Sequence, residues 1–440
     1  MICNLSNNPN PTSIETFLFL VIESFLFMAA ATHKPASTAY IHNDLAFSIL
    51  SKLPLKSLKR FTCVKKSFSL LFQSPDFMNM FRTNFISKHN EDSENTRLIL
   101  KEKTQMIPFP YTFCSFSGEK LEDGERLDCP PPFHEDDLGI EIFGFASVNG
   151  TLCLYQGIYH DTKIVLWNPA TTEFKVVPPS FQPYDNIEVK TPPLAFGYDH
   201  VRHDYKLIRI AHYPLDFEGN WVDVPDKDSY FWDVDYDHTF WDRRVVDMND
   251  PFWEIYSLKS NSWRKIDGIE MRFNWIDSYP VNLNEFCHCL ELDRIVSFDF
   301  TNEIFFATTL PSVGFKRPRE CEIFFRLPRF RLKSYLAVIH GSIAFISNIE
   351  VSSFYDIWIL GELGVNESWI KLFVVDAPCK MRPFGIGIKS FIFFIKGDEE
   401  IAWYDLSTQR IEEIKVKGES AGLQIIVYKE NLLSFEGINI

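Results

Sequence analysis

Three aspartates, Asp233, Asp235 and Asp237, alternate along the chain as the first ligands of a calcium-binding loop do. Such a loop also requires a glycine at its sixth position and a bidentate acid at its twelfth. His238 and Arg244 occupy those two positions. The spacing therefore argues against a calcium site, although the acidic character of the segment remains to be explained.

A second group that could bind metal is Cys287-His288-Cys289. Neighbouring residues of a strand point to opposite sides of a sheet, and no second ligand pair follows at zinc-finger spacing. We expect these residues to be part of a core, and we predict no metal and no other cofactor. The chain also lacks a phosphate-binding glycine loop, a Gly-x-Ser-x-Gly elbow and a dinucleotide fingerprint. We therefore predict that the protein is not an enzyme.

The charge of the chain limits the classes of partner. The 59 acidic and 44 basic residues give a net charge of −15, which argues against nucleic acid because binding to phosphates needs a basic face. Residues 40–90 are different, since basic residues outnumber acidic ones there. This local surplus is typical either of a surface that meets an acidic partner or of a solvated helix face.

Cysteine usage and the N-terminus bear on the compartment. Nine cysteines without a disulfide-like spacing indicate a reducing environment, and we predict a cytoplasmic or nuclear protein. The apolar run Ile14–Met28 contains Glu15 and Glu23 and is too short to span a bilayer. We expect residues 1–39 to be disordered or to precede the native start at Met28, with a membrane anchor as the less favoured alternative.

Helical periodicity begins at Asn43, which can cap the first helix. Pro54 ends this helix and suits the first turn of the next. Ser74-Pro75-Asp76 predicts the start of a last helix, because it offers a capping oxygen, a proline that needs no amide hydrogen and an acid near the positive dipole end. A helical segment this small needs another surface to complete its core.

The stretch from Asp44 to Phe77, DLAFSILSKLPLKSLKRFTCVKKSFSLLFQSPDF, resembles an F-box in the form found in plants. It departs from that family at His42, where a proline is usual, and at Phe68, where a tryptophan is usual. The resemblance implies docking on a Skp-family adaptor and, through it, on the cullin scaffold of a ubiquitin ligase. The residues assigned to this contact, for each of which the alternative is the core of the segment itself, are Leu45, Ile49, Leu50, Leu53, Pro54, Leu58, Cys63, Val64 and Phe68.

Beyond residue 140 an apolar run that ends in an aromatic residue occurs five times, each followed by a polar turn and a second strand. The marking aromatics are Trp167, Tyr256, Phe298, Trp358 and Tyr404. A large apolar residue follows seven positions later in four copies, and Trp369 follows eleven positions later in the copy of Trp358. We expect Gly150, Gly197, Gly341 and Gly385 to mark further strand ends.

Most of the spacings between the marking aromatics approach the size of one four-stranded propeller blade once an insertion at Pro214–Asp250 is set aside. Strands at Leu98–Leu100 and Phe113–Phe116 could close a ring by pairing with Ile425–Ser434, which would give about six blades. A β-sandwich of two halves is the alternative, because repeat spacing alone does not establish closure.

This half of the chain resembles the plant F-box-associated domain, and we also predict kelch-like blades. The segments that carry the resemblance include Ser147–Leu154, Trp167–Thr171, Phe196–Asp199, Asp204–Lys206, Tyr256–Leu258, Ser262–Arg264 and Tyr428–Leu432. It implies a module that recognises a protein substrate. The expected fold is thus α+β and multidomain, with a small all-α F-box at 41–88 and an all-β propeller-like domain at 95–440.

Residues 214–250 interleave aromatic and acidic side chains, a composition suited to a binding loop over a rigid scaffold. The residues predicted to contact a substrate, which would be basic, are Trp221, Trp232, Asp233, Asp235, Tyr236, Asp237 and Trp241. A self-packed or disordered loop is the alternative. The combined prediction is a substrate adaptor of a Skp–cullin–F-box ubiquitin ligase that binds neither nucleic acid nor membrane. An independent propeller with a binding or hydrolytic function is the alternative.

Overall fold

The computed structural model describes residues 48–53, 57–58, 70, 72, 74–87, 95–103, 111–133, 140–156, 163–180, 193–211, 252–266, 279–291, 293–311, 334–348, 354–376, 382–388, 391–396, 400–417, 423–432 and 435. The chain divides into two compact units, residues 1–49 and 50–440. In the first unit Ser48 and Ile49 are described, and both are helical. Apart from the burial of Ile49, all further structure given below belongs to the second unit.

Within the described residues, twenty-four strands form six four-stranded antiparallel sheets, which are the blades of a β-propeller. Blade 1 contains β24 (Gln424–Lys429), β1 (Thr96–Lys103), β2 (Tyr111–Phe116) and β3 (Glu125–Leu127) in that order from the inside outwards. Blade 2 contains β4 (Ile140–Ile142), β5 (Leu152–Gln156), β6 (Lys163–Trp167) and β7 (Phe174–Val176). Blade 3 contains β8 (Ala195–Asp199), β9 (Asp204–Ala211), β10 (Phe252–Ser257) and β11 (Ser262–Ile266).

The other three blades follow the same plan. Blade 4 contains β12 (Val281–Leu283), β13 (Phe286–Glu291), β14 (Arg294–Asp299) and β15 (Ile304–Thr309). Blade 5 contains β16 (Ser334–Ile339), β17 (Ser342–Ser347), β18 (Phe354–Leu360) and β19 (Trp369–Asp376). Blade 6 contains β20 (Arg382–Ile386), β21 (Phe391–Ile395), β22 (Glu400–Asp405) and β23 (Arg410–Lys417).

Blade 1 closes the ring, because its inner strand β24 comes from the C-terminal part of the chain and its other three strands from the N-terminal part. Leu98 lies opposite Val427 and Leu100 opposite Ile425. This pairing confirms the predicted closure and the predicted six blades. The alternative of a two-halved β-sandwich was wrong.

The seven-residue spacing of the sequence repeats corresponds to direct cross-strand pairing in the structure. Trp167 lies directly opposite Phe174, Phe298 opposite Phe305, and Tyr404 opposite Ile411, each across the third and fourth strands of a blade. Blade 5 differs, because the connection between β18 and β19, residues 361–368, is longer than in the other copies. There Leu360, not Trp358, lies opposite Trp369, so the predicted marker of this copy was two residues early.

Five hairpins have the same construction. They join the third and fourth strands in blades 2, 3, 4 and 6, and also the first two strands of blade 3. Each begins with a residue whose side chain can accept hydrogen bonds from the turn, and the residue four positions later has a positive φ near 50–58°. In blade 4, for example, Asp299 Oδ1 accepts the amides of Thr301 and Asn302, at 2.8 and 2.9 Å. The first and fifth residues of the hairpins are Asn168 and Thr172, Asp199 and His203, Ser257 and Asn261, Asp299 and Glu303, and Asp405 and Gln409.

The antiparallel order defines two ends of the propeller. Connections between the first and second strands and between the third and fourth strands lie at one end, here called the hairpin end. Connections between the second and third strands and from blade to blade lie at the other, the loop end. Residues 212–251, between β9 and β10, and residues 312–333, between β15 and β16, are therefore connected to the loop end.

Apolar side chains fill the spaces between blades, and in two inner strands a glycine lies close to a neighbouring side chain. A Cβ on Gly197 in β8 would lie 2.0 Å from the Phe300 ring, and one on Gly385 in β20 would lie 3.0 Å from Ile425 Cβ. Both glycines lie inside strands rather than at strand ends, so this prediction was wrong for them. They allow close packing between neighbouring parts of the ring.

Ahead of the propeller lies helix α1 (Pro75–Ser87), which begins where the sequence predicts. Ser74 caps it, since the Phe77 amide donates to Ser74 Oγ at 3.3 Å. Phe77 and Phe81 are buried, and their rings stack with centroids 6.4 Å apart. Among the described residues, no helix has the length and hydropathy needed to cross a bilayer.

Candidate functional site

The residues predicted to contact a Skp-family adaptor are described in part. Leu50, Leu53 and Leu58 are buried within the chain, with 5%, 7% and 2% of their surface exposed, and Ile49 is half-buried. Leu45, Pro54, Cys63, Val64 and Phe68 lie outside the described residues. Leu70, which was not among the predicted contacts, is 62% exposed and offers an apolar side chain on this segment.

Helix α1 contacts blade 5. The Arg82 guanidinium donates to the carbonyl oxygen of Leu372 in β19, and the Phe85 ring meets His340 edge-on, with centroids 5.3 Å apart. His340 lies in the hairpin between β16 and β17, so this contact is at the hairpin end. Thr96, the first residue of β1, also lies at that end. The chain therefore enters the propeller from the hairpin end.

Three of the segments that carry the family resemblance meet at the junction of blades 1 and 2. The Ser147 amide donates to the Val427 carbonyl at 2.9 Å, and Asn168 Nδ2 donates to the Asn431 carbonyl at 2.8 Å. The Tyr428 hydroxyl donates to Asn168 Oδ1 at 3.1 Å. These motif residues hold the closing strand in place, which gives them a structural role.

A buried ionic cluster joins blades 3 and 4 at the hairpin end. Lys206 Nζ lies 2.7 Å from Asp199 Oδ2 and 2.8 Å from Glu303 Oε1, and it also donates to the Phe300 carbonyl. The second oxygen of Glu303, Oε2, accepts from the Arg264 guanidinium. Each oxygen of this carboxylate therefore pairs with a separate cation.

The pKa of Asp199 follows from this cluster. Burial alone would raise the pKa, but hydrogen bonds from Lys206 and Arg202 outweigh burial and hold it well below its ordinary range. Burial would likewise raise the pKa of Glu303, but the hydrogen bonds from Arg264 and Lys206 outweigh burial and lower it. Both carboxylates are thus charged at neutral pH.

A second lysine–carboxylate pair, which the sequence did not predict, lies between blades 1 and 2 at the loop end. Lys101 Nζ is 2.8 Å from Glu141 Oε2 and 3.1 Å from Gln424 Oε1. Gln424 in turn bonds both the amide and the carbonyl of Ile142, at 3.0 and 2.9 Å. A lysine that ends the apolar run Leu98–Leu100 on the inward side of β1 was the available signal.

Tyrosines surround this pair. The Tyr279 hydroxyl, which comes from the start of blade 4, donates to Glu141 Oε2 at 3.3 Å, and its ring meets Phe145 edge-on at 5.3 Å. Tyr155 lies directly opposite Glu141 in the register of β4 and β5. Burial, with a further contribution from Glu141, raises the pKa of both tyrosines, so their hydroxyls stay protonated.

Cys287, His288 and Cys289 lie on β13, where Cys287 and His288 are buried. Cys287 and Cys289 pack with blade 3, and Cys289 Sγ lies 3.4 Å from the Leu194 carbonyl oxygen. His288 Nδ1 is 2.8 Å from Ser297 Oγ, and burial lowers its pKa to about 3. Within the described part of the chain, no three or more His, Cys, Asp or Glu residues are placed to hold a metal ion.

The residues predicted to contact a substrate lie in the interval 212–251, outside the described residues. They are Trp221, Trp232, Asp233, Asp235, Tyr236, Asp237 and Trp241. The flanking strands β9 and β10 are described, and a buried pair near their loop-end residues joins them. Arg209 donates from Nε and Nη2 to Glu254 Oε2, at 3.0 and 2.9 Å, and its guanidinium lies 4.3 Å from the Trp263 ring centroid.

Residues 106–432 match the family described as the F-box associated beta propeller domain. The chain belongs to this family. Two relatives of this F-box associated propeller are F-box proteins of Arabidopsis thaliana. The F-box protein CPR1 is 21% identical over 411 residues, which cover 86% of this chain and 85% of CPR1. The F-box protein At2g40925 is 24% identical over 346 residues, which cover 77% and 73%.

Among solved structures, TolB from Acinetobacter baumannii aligns with a TM-score of 0.42 at 10% identity, over 81% of this chain and 73% of TolB.

The family match confirms the predicted F-box-associated domain. The helical F-box domain at 41–88, its boundaries and the kelch-like character of the blades stay predictions.

Proposed function

We propose that this F-box associated propeller is the substrate-recognition adaptor of a Skp–cullin–F-box ubiquitin ligase, and that it has no catalytic role of its own. The observation that carries the proposal is the six-bladed propeller of this family, preceded by a segment that resembles an F-box and ends in α1. Relatives that cover most of the chain are F-box proteins. In this proposal the helical segment binds a Skp-family adaptor and the propeller binds the protein to be ubiquitinated.

The proposed adaptor contact retains the nine predicted residues, Leu45, Ile49, Leu50, Leu53, Pro54, Leu58, Cys63, Val64 and Phe68. Since Leu50, Leu53 and Leu58 are buried in the chain, a charged substitution at any of them would place a charge in a buried position. Loss of binding would then not distinguish contact from unfolding. Leu70, which is 62% exposed, is the better probe of the surface.

The test is co-purification of the full chain with a Skp-family adaptor. We expect the wild type to be retained and Leu70→Asp to weaken retention by about tenfold or more, because the new charge would have to be desolvated in an apolar contact. Leu432→Asp is the matched control, since Leu432 is 74% exposed and lies in the chain that follows β24. Both variants should melt at the wild-type temperature.

A wild-type chain that fails to retain the adaptor under conditions where it is folded would refute the proposal. An independent propeller predicts that outcome. Retention of Leu70→Asp at the wild-type level would exclude the exposed face that carries Leu70 and leave the contact to the other residues of the segment.

For the substrate side we propose that the acidic, aromatic segment between β9 and β10 contacts a basic protein surface. The ends of that segment, Ala211 and Phe252, lie at the loop end, away from the contact of α1 with blade 5. Charge reversal of Asp233, Asp235 and Asp237 to Lys should abolish substrate capture while adaptor binding persists. Unchanged capture would reject this part of the proposal.

A further inference from the structure

The two buried lysines of the propeller have closely matched surroundings. Lys206 and Lys101 each lie on the second strand of their blade, and their side chains are 4% and 0% exposed. Each bonds one oxygen of a partly exposed carboxylate, Glu303 at 21% and Glu141 at 23%. Each of these carboxylates belongs to the next blade of the ring. The clusters lie at opposite ends of the propeller.

The two carboxylates differ in their second oxygen. Glu303 Oε2 accepts from Arg264, whose side chain is 55% exposed. Both hydrogen bonds to Glu141, from Lys101 and Tyr279, end on Oε2. Within the part of the chain that the structure describes, no hydrogen bond reaches Glu141 Oε1. Glu303 shows that a carboxylate held by a buried lysine in this protein can pair with a second, partly exposed cation.

We propose that Glu141 Oε1 at the loop end is a binding site for one basic side chain, an arginine or lysine, of a protein substrate. This inference rests on the proposed function for the presence of such a substrate. Lys101 and Tyr279 hold Oε2 in place, which fixes the orientation of the carboxylate before binding. An arriving guanidinium would take the position at Glu141 that Arg264 has at Glu303.

The surroundings of Glu141 suit a cation with an apolar stem. Phe145, Tyr155 and Tyr279 are half-buried; Tyr155 lies opposite Glu141, and the Tyr279 ring meets Phe145 edge-on. Aromatic rings attract guanidinium and ammonium groups and pack against the methylene groups of Arg and Lys. The same protein makes such a contact within blade 3, where the Arg209 guanidinium lies over Trp263. An acidic ligand would instead be repelled by Glu141.

The experiment uses the purified full chain and a blocked pentapeptide with one central arginine between glycines. The matched probe carries citrulline, which keeps the shape of arginine without its charge. Binding is followed by saturation-transfer NMR of the peptide. We expect the arginine peptide to bind the wild type with a weak, measurable affinity and the citrulline peptide to bind at least about tenfold more weakly.

Glu141→Gln should lower the affinity for the arginine peptide to that for the citrulline peptide, while Glu303→Gln, the matched control, should leave it unchanged. Because Glu141→Gln leaves Lys101 without its carboxylate, a second variant replaces the pair by Lys101→Met with Glu141→Leu. Exchange of a buried ion pair for apolar residues of similar size preserves folding in other proteins. This variant must also lose binding while its melting temperature stays near that of the wild type.

Equal binding of both peptides to the wild type, or binding that survives in both Glu141 variants, would overturn the site. Equal loss in Glu303→Gln would also overturn it, since the effect would then be general to the protein's negative charge. The assay contains no Skp-family adaptor. A negative result therefore leaves the ligase proposal untouched, and failure of adaptor capture leaves the peptide result valid.

Discussion

The hairpin end and the loop end of the propeller are formed by the same strands but differ in how regular their connections are. At the hairpin end, five hairpins share one construction, and the carboxylates of Asp199 and Glu303 each accept from two cationic side chains. At the loop end the connections differ widely in length, from residues 292–293 between β13 and β14 to residues 212–251 between β9 and β10.

The comparison of the two ends indicates where the fold tolerates changes in sequence and loop length. A hairpin whose first side chain accepts hydrogen bonds from the amides of the turn fixes the register of two strands, so substitutions in it affect the stability of the fold. A connection that does not pair with a strand can change in length and composition at small cost. We infer that the hairpin end supports the ring and the helical segment, while the loop end carries recognition.

Removal of the closing strand should break the hairpin-end support most severely. A chain that stops after Leu423 lacks β24, with its pairing to β1 and its bonds to Ser147 and Ile142. The loss should exceed the total stability of about 5–15 kcal/mol typical of a domain, and we expect an unfolded or aggregated product. Circular dichroism and size-exclusion chromatography measure this. A chain that stops after Phe435 is the control, and a monomeric, cooperatively melting product of the shorter truncation would show that closure is dispensable.

The two buried lysines should differ in their contribution to stability. Lys206→Met leaves the fully buried Asp199 and also Glu303 short of a cation, and breaking a buried pair costs about 3–5 kcal/mol. Lys101→Met leaves Glu141, which is 23% exposed and can be hydrated, so we expect a smaller cost of about 1–3 kcal/mol. Urea unfolding of both variants gives the two free energies. Equal costs would mean that the two ends do not differ in how tightly their charges are enclosed.

Gly197→Ala tests the close packing of the ring near the hairpin end. The added methyl would lie 2.0 Å from the Phe300 ring, which must move, and overpacking of this kind costs about 1–3 kcal/mol. Gly118→Ala is the matched control, because a Cβ there meets no atom within 4 Å. Thermal unfolding should separate the two variants, and a neutral effect at Gly197 would show that the Phe300 side chain can move at no cost.

Acid should weaken the hairpin end gradually. The folded pKa of Asp199 lies below its ordinary value of 3.8, so the charged form stabilises the fold above that pH. This contribution is lost as the pH falls below about 4 towards the folded pKa. Free energies of unfolding at pH 7, 5, 4 and 3 should therefore fall less steeply for Asp199→Asn than for the wild type. Parallel curves would assign the acid sensitivity to other carboxylates.

Much of the ring could be predicted from the sequence because the third and fourth strands of a blade are close along the chain. Trp167 and Phe174 are seven residues apart and pair directly, so their spacing survives as a pattern. In blade 5 the corresponding pair is Leu360 and Trp369, which are separated by residues 361–368, and nothing in the spacing indicates this longer connection, so the marker was misplaced by two residues. Propensity and spacing describe local pairing well and irregular pairing poorly.

The loop-end site could not be predicted, because its members are distant along the chain. Lys101 reaches Gln424 across a separation of 323 positions, and Tyr279 reaches Glu141 across 138. Nothing in the residues around any of them indicates the others. Gly197 was misread for the same reason, since the ring it accommodates belongs to Phe300 in the next blade.

Amide hydrogen exchange of the full chain, with and without a saturating Skp-family adaptor, tests the division between the two ends most directly. We predict that the adaptor slows exchange in residues 41–88, including α1, and leaves the loop-end peptides that contain Lys101, Glu141 and Tyr279 unchanged. Protection at those loop-end peptides with none in residues 41–88 would contradict the account.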